Sequence, residues 1–406
     1  MSYLSTIRPI EINEQNIDLE QEDFYQIQLR ILQNDKNQQL NKKLKFNQTT
    51  QSYGIACICD YLVIRVQNIQ ENGILYYYLG FSNIKVKMIS NSQANEQLHL
   101  QALIWHINQA QERILITFNT TSEYEKICLN FKKHSIIYGI DINRQYKFKQ
   151  YLGSGNQAEV SLYKDLITKK LYAIKSYLNI NSECKRVMMR EINILRQLKT
   201  CPGVIKLKRV YQYKSDFHLV FEYAKYGSLQ EYALQNSPLN EKDCIKILKQ
   251  LLEILNFMHQ KGIIHRDLKA DNILIKDQSK MLICISDFGI AINEKDFINS
   301  KIKCGTPGYV DPSVLKGERF STKSDLFSLA CTFYNLLTKE HIFPGNTVEQ
   351  VLFNNTNLDP QQRLLRQNLN LSRGFLEIMN MMFERDQNKR VTAAQCLKVS
   401  KILHLF

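Results

Sequence analysis

One string constrains this chain more than any other: His265-Arg266-Asp267-Leu268-Lys269-Ala270-Asp271-Asn272. Two carboxylates, an ammonium and an amide fall within the six residues from Asp267 to Asn272, and the apolar run Ile273-Leu274-Ile275 follows at once. Asp287-Phe288-Gly289 stands 15 residues after Asn272, behind a second apolar run, Met281–Ile285. Polar strings pressed against apolar runs read as loops at the ends of buried strands. Moving a phosphoryl group onto a hydroxyl requires an oxygen base beside the hydroxyl and oxygen ligands for magnesium. Asp267, Asn272 and Asp287 supply that set, and an ordinary surface loop has no reason to carry it.

Two upstream features bear on the same chemistry. Leu152-Gly153-Ser154-Gly155-Asn156-Gln157-Ala158-Glu159-Val160 holds two glycines that let a turn pass close to phosphates. Gly-x-Gly also occurs in ordinary hairpins, and Ala158 stands where a third glycine would be usual, so a plain hairpin stays open as a reading. In Tyr172-Ala173-Ile174-Lys175 a lysine ends an apolar strand, where its ammonium needs anions. Phosphates and a carboxylate would serve, and Glu191 lies 16 residues on in a helical segment. The alternative is a lysine whose stem is buried and whose head reaches water.

Charge and cysteine usage narrow the class. Residues 1–140 carry 13 Lys and Arg against 13 Asp and Glu, so the whole formal excess of +14 lies in residues 141–406. Those basic residues are scattered, which fits a solvated enzyme surface and gives no nucleic-acid patch. The 10 cysteines include the pair Cys57 and Cys59 but no CxxC and no zinc pattern, so reduced thiols and a cytoplasmic protein are expected. No signal peptide, transmembrane segment or prion-like tract is read from the sequence.

Periodicity divides the chain. Residues 1–20 read as a flexible arm and 33–52 as a polar loop. Strand-like runs are expected at Phe24–Leu32, Ile55–Cys59, Leu62–Val66, Ile74–Leu79, Ile84–Ile89, Leu100–Ile107 and Ile114–Phe118. A helix capped by Thr121 or Ser122 then runs to about His134, with Glu123 and Glu125 in its first turn and Lys132 and Lys133 in its last. From Tyr146 the pattern becomes strands, a helix near Ser182–Leu198, more strands, and mostly helices after Asn240. Leu248, Leu251, Leu252, Leu255 and Met258 make a core stripe.

With these residues in order, residues 146–406 resemble the eukaryotic protein kinase family of serine/threonine type, in the style of its calcium/calmodulin-dependent group. Further matches are Cys304-Gly305-Thr306-Pro307-Gly308-Tyr309, Ser324-Asp325-Leu326-Phe327-Ser328-Leu329 and Asp386-Gln387-Asn388-Lys389-Arg390. The resemblance implies a bilobal α+β fold, ATP and Mg2+ as cofactors, and protein substrates with Ser or Thr. It makes Asp267 the base and Lys269 the neutraliser of phosphoryl charge. Asn272 and Asp287 become magnesium ligands, and Lys175 the phosphate ligand paired with Glu191. Leu152, Gly153, Ser154 and Gly155 would cover the phosphates. Val160, Ala173 and Leu274 would sandwich adenine, Glu222 to Ala224 would form the hinge, and Phe221 the gatekeeper. Leu195, Leu207, His265 and Phe288 would stack as a spine, Asp325 would anchor the catalytic loop, and the Thr306 hydroxyl would contact Asp267 and Lys269. A scaffold that has lost catalysis is the alternative.

Departures from the family pattern carry their own expectations. Ser313 in Asp311-Pro312-Ser313 stands where the family has glutamate, so Arg390 is expected to lack its partner and Ser313→Glu to raise the melting temperature. Ile302 stands at the usual phosphorylated position, so either partial activity without phosphorylation or activation through Ser300 is expected. Ser228 replaces a glutamate that directs many kinases to upstream arginine. No calmodulin-binding helix is expected after the domain. Residues 21–138 resemble a pleckstrin-homology domain, a small antiparallel barrel or sandwich closed by one helix, with Ile127 near the family's tryptophan and Trp105 placed in a strand as core. Lys42, Lys43 and Lys45 would meet phosphoinositide or simply be solvated, and a regulatory protein or an autoinhibitory contact is the favoured partner of this module.

Overall fold

A computed structural model describes residues 120–402, apart from 135, 156–157, 237–238, 297–302 and 368, together with seven strands between residues 25 and 118. The arm at 1–20, Lys42, Lys43, Lys45, Cys59, Ser300 and Ile302 lie outside the described residues. The chain divides into two units, residues 1–180 with 208–221 and residues 181–207 with 222–406.

The first unit is built on one sheet. Its opening strands are β1 (Tyr25–Leu32), β2 (Gln51–Ile58), β3 (Tyr61–Asn68), β4 (Ile74–Gly80), β5 (Ile84–Ile89), β6 (Leu98–Trp105) and β7 (Gln111–Phe118), each overlapping an expected run. Strand β2 begins inside the expected polar loop, because Gln51 and Ser52 pair with the equally polar Asn68 and Gln67 of β3. Helix α1 (Thr121–His134) follows and contacts β2, β6, β7 and β8 (Ile136–Tyr138). Its cap is Thr120, one residue before those expected: the Glu123 N–H donates to Thr120 Oγ1 and the Thr120 N–H to Glu123 Oε2, both at 3.2 Å.

The order β4-β3-β2-β1-β7-β6-β5 is antiparallel throughout, two runs of consecutive strands joined where β1 pairs with β7. The β5 edge pairs in parallel with β8. Strand β8 pairs in parallel with β12 (Leu207–Tyr213) on its other side, and the sheet continues through β13 (Asp216–Glu222), β11 (Leu171–Tyr177), β10 (Glu159–Asp165) and β9 (Tyr146–Ser154), thirteen strands in all.

The segment between the two expected domains is therefore itself structured. Ile137 and Ile142 pack with Tyr146, Ile174, Tyr211 and Val220, all buried. Arg209 Nη1 donates to the Tyr146 hydroxyl at 2.7 Å, and the Tyr211 hydroxyl to Gln145 Oε1 at 2.6 Å. The polar tips that this packing buries are thus satisfied.

The second unit is mostly helical, with α2 (Ser182–Gln197), α3 (Leu229–Asn236), α4 (Glu241–Gln260), α5 (Pro312–Leu315), α6 (Thr322–Thr338), α7 (Val348–Asn357), α8 (Pro360–Arg366), α9 (Arg373–Met382) and α10 (Ala393–Ile402). The expected α4 stripe, Leu248 to Met258, is wholly buried. Helix α6 is apolar on nearly every side and buried along its length, as a helix surrounded by others must be. Two short ladders complete the unit: β14 (Ile263–Ile264) with β17 (Ile292–Asn293), and β15 (Ile273–Asp277) with β16 (Leu282–Ile285). Strands β14 and β15 flank the loop from His265 to Asn272.

Candidate active site

The loop from His265 to Asn272 is held by a carboxylate from another element. Asp325, fully buried in the first turn of α6, accepts the His265 N–H on Oδ2 and the Arg266 N–H on Oδ1, both at 3.0 Å. His259 Nε2 lies 2.9 Å from the same Oδ2. These bonds satisfy main-chain groups that would otherwise be orphaned in the core. They also hold Arg266 in a left-handed conformation (φ 71°) that a side-chain-bearing residue seldom adopts. The Arg266 side chain turns inward, with Nε donating to the Ile290 carbonyl at 2.7 Å and the guanidinium over the Phe320 ring.

Asp267 sits in a ring of donors. Its Oδ1 accepts the Thr306 hydroxyl at 2.6 Å and the Thr306 N–H at 3.0 Å, and its Oδ2 accepts Asn272 Nδ2 at 3.0 Å. Lys269 Nζ lies 3.3 Å from Oδ2 and donates to the Thr306 hydroxyl at 2.6 Å. The expected contacts of Thr306 are thus present, and one hydroxyl ties the carboxylate and the ammonium into a single orientation. Gly305 makes this approach possible: at φ 99° its Cα lies so close to the Arg266 carbonyl that a Cβ would stand 2.7 Å from that oxygen. Sequence reasoning did not single out Gly305, although a glycine directly before a contacting threonine is the signal for such an approach. Thr306→Val removes bonds to two charged groups at once, so kcat should fall about 10- to 100-fold while Thr306→Ser stays within about threefold, as steady-state assays would read.

The β15–β16 hairpin brings the two candidate magnesium ligands together. Ile273 is opposite Ile285, and beyond that pair the Ser286 N–H donates to the Asn272 carbonyl at 2.8 Å. Asn272 spends its amide N–H groups on Asp267, on the carbonyl at 2.8 Å and on Oδ2, so its own Oδ1 is the atom available to a cation. Asp287 follows Ser286 in a left-handed conformation, φ 55°. An amide oxygen and a carboxylate form a hard oxygen set that fits magnesium, which keeps several ligands from water and phosphate. Among the described residues no group of three or more His, Cys, Asp or Glu could hold a metal, in keeping with so sparse a donor set. His265 and Phe288, two members of the expected spine, meet edge to face at 4.9 Å. Leu195 is buried in α2, and Leu207 is partly buried at the start of β12.

The residues of the first unit that are expected to meet nucleotide lie on neighbouring strands. Val160 is opposite Lys175 and Gly153, and Leu162 is opposite Ala173. Alternation then puts Val160, Ala173 and Lys175 on one face of the sheet. Leu152, Gly153 and Ser154 end β9, and the Gly155 N–H donates to the Ala158 carbonyl at 2.9 Å, closing the tip of the hairpin. Lys175 Nζ stands 5.6 Å from the Tyr177 ring centre. Phe221 is nearly buried at the end of β13, and Glu222 is its last residue.

In the second unit, Glu191 is buried in α2 beside Ile192 and Leu195. Leu274 is half-buried in β15 and bridges to Ser228. The Ala224 carbonyl accepts the Gly227 N–H at 3.3 Å. Ser228 and Glu231 form a capping box on α3, the Glu231 N–H donating to Ser228 Oγ at 3.1 Å and the Ser228 N–H to Glu231 Oε2 at 2.8 Å.

One expectation is overturned. Arg390 has a partner: Asp311 faces it with both oxygens, Nη1 to Oδ2 at 2.5 Å and Nη2 to Oδ1 at 3.0 Å, and neither side chain is exposed. The carboxylate comes from two positions before the expected one, and Ser313 supports it by donating its hydroxyl to Asp311 Oδ1 at 2.9 Å. Burial alone would raise the Asp311 pKa, but the bonds and charge of Arg390 outweigh it and hold the carboxyl below its ordinary value.

Comparison with known proteins agrees with this geometry. The protein kinase domain pattern matches residues 146–400, so the chain belongs to the protein kinase family. It is similar to the serine/threonine-protein kinase cds1 of Schizosaccharomyces pombe, 32% identical over 63% of this chain and 58% of that one. It is also similar to calcium-dependent protein kinase 6 of Plasmodium berghei, 34% identical over 64% of this chain and 18% of that one. Death-associated protein kinase 2 of Mus musculus is 30% identical over 62% of this chain and 70% of that one. The chain thus spans 58% and 18% of the first two of these relatives. No described helix is long and apolar enough to cross a membrane.

Proposed function

We propose that this protein is a serine/threonine protein kinase that transfers the γ-phosphoryl group of Mg-ATP to Ser or Thr hydroxyls of protein substrates. The observation that carries the reading is the set of contacts joining Asp267, Lys269, Asn272 and Thr306. Asp267, oriented by Thr306 and Asn272, accepts the proton of the substrate hydroxyl as that oxygen attacks phosphorus. Lys269 neutralises charge on the equatorial oxygens of the group in flight. Asn272 Oδ1 and the Asp287 carboxylate would hold magnesium. Bound there, the ion would offset phosphate charge and orient the leaving group. Lys175 would bind the α and β phosphates, and the main chain of Glu222 to Ala224 would hydrogen-bond adenine. Such a site works by placement and charge, so little side-chain motion is asked of it.

The antiparallel sheet with its following helix supports reading the N-terminal strands as a pleckstrin-homology-like module, and a regulatory protein is its proposed partner. Ser313 no longer speaks for the scaffold alternative, since Asp311 pairs with Arg390 in its place. Equilibrium dialysis of labelled ATP against the full chain tests the nucleotide site: magnesium-dependent binding that Lys175→Met weakens is expected. Absence of binding with or without magnesium returns the scaffold.

A further inference from the structure

The transfer reaction uses the main chain of residues 222–224 and leaves the Glu222 carboxylate without a task. The structure gives it one. Glu222 Oε1 accepts Lys276 Nζ at 3.0 Å and the Lys206 N–H at 3.1 Å, and the Glu222 N–H donates to the Lys206 carbonyl at 3.0 Å. The side chains of Lys276 and Glu222 keep 32% and 21% of their exposure, so water screens the pair only in part.

Lys206 is bound further on. Its Nζ donates to the Lys199 carbonyl at 2.8 Å and to the Cys201 carbonyl, just past the end of α2. The Lys206 ammonium thus ties down two main-chain carbonyls of the turn that follows α2. The segment in between has no slack. The Ile205 N–H donates to the Ile285 carbonyl at 3.0 Å, and the Ile285 N–H to the Gly203 carbonyl at 2.9 Å. A Cβ on Gly203 would lie 2.2 Å from the Ile254 side chain of α4. One short stretch therefore joins the C-terminal end of α2, residue 222, and the strand that ends two residues before Asp287. Lys276 closes the knot from β15, four residues after Asn272.

We propose that Lys276 is a positioning residue for nucleotide binding: acting through Glu222, it fixes the main chain of residues 222–224 against the anchored segment that follows α2. The inference rests on reading residues 222–224 as the adenine-binding hinge of a kinase. Hinge hydrogen bonds are made equally in the ground state and the transition state, so loosening them raises KM for ATP and leaves kcat nearly unchanged. A purely architectural lysine would instead lower the melting temperature or the active fraction without moving KM.

The test is steady-state kinetics of the full chain with Mg-ATP varied. Lys276→Met should raise KM for ATP about three- to tenfold, the scale of one charge-assisted hydrogen bond partly open to water, with kcat within about twofold. Lys276→Arg should restore KM. An unmoved KM in Lys276→Met, or a fall in kcat alone, overturns the proposal. Should that variant not fold, Glu222→Gln keeps an oxygen for the Lys206 N–H while losing the charge. It should show the same rise, and an unmoved KM there also overturns the proposal. A wild type that binds no ATP overturns the kinase reading and this inference together, whereas a measurable KM indifferent to Lys276 overturns this inference alone.

Discussion

Asp267→Asn and Asp287→Asn should each lower turnover by about two to four orders of magnitude, the range that a positioned base or a metal-bound charge supplies. The two differ in how they fail. An amide at Asp267 must set an N–H2 against donors on one side or the other, since Thr306 donates to Oδ1 and Asn272 to Oδ2. One donor pair is then left unmatched, so Asp267→Asn should also lose about 1–3 kcal/mol of stability. Asp287→Asn removes charge where magnesium would bind, so its deficit should shrink as magnesium is raised, while that of Asp267→Asn should not. Turnover at several magnesium concentrations, with melting temperatures beside it, separates the two roles. Wild-type turnover in either variant removes that residue from the mechanism.

The largest effect on stability is expected at Asp311. Asp311→Ala leaves Arg390 charged and unpaired in a site where neither side chain meets water, and breaking such a pair costs about 3–5 kcal/mol. The catalytic part should melt roughly 6–20 °C lower, at about 2–4 °C per kcal/mol for a domain of this size. Ser313→Glu should destabilise as well. It would bring a second carboxylate against Asp311 and remove a hydroxyl that donates to Asp311 and to the Arg385 carbonyl. The expectation from the family pattern had the opposite sign. Because the Asp311 pKa is depressed in the folded chain, the pair contributes fully above the unfolded-state value near 4 and is lost as pH falls through the lower folded-state value. Asp311→Ala should therefore flatten the acid limb of the stability curve. Thermal denaturation of wild type, Asp311→Ala and Ser313→Glu between neutral and acid pH reads all three effects.

The polar cluster from His265 to Asn272 was legible because its members are written in contiguous letters. Asp267, Lys269 and Asn272 are neighbours in sequence and in space, and Asp287 comes to Asn272 by one hairpin. The α4 stripe and the strand runs were legible through periodicity, which burial imposes directly. Other features depend on groups far apart in sequence. The Asp311–Arg390 pair spans 79 residues, and a family pattern fixed on position 313 looked two residues too late. The register of β8 between β5 and β12 follows from edge pairing, which leaves little mark on a three-residue apolar run. The cap of α1 slipped by one residue because Thr120, Thr121 and Ser122 are all able to cap, and Thr120 and Ser122 each have a glutamate three residues on; the pair formed is Thr120 with Glu123. Glu222 was noticed for its main chain alone, since nothing in the sequence announces that Lys276 and Lys206 meet at its carboxylate.

The most direct test of the account is transfer of radiolabel from the γ-phosphate of ATP, with magnesium, to degenerate peptides offering Ser, Thr or Tyr as the sole acceptor. Label is expected on Ser and Thr peptides, absent from Tyr peptides, and abolished on all by Asp267→Asn. No transfer by the folded, ATP-binding wild-type chain to any acceptor, or transfer confined to Tyr, would contradict it.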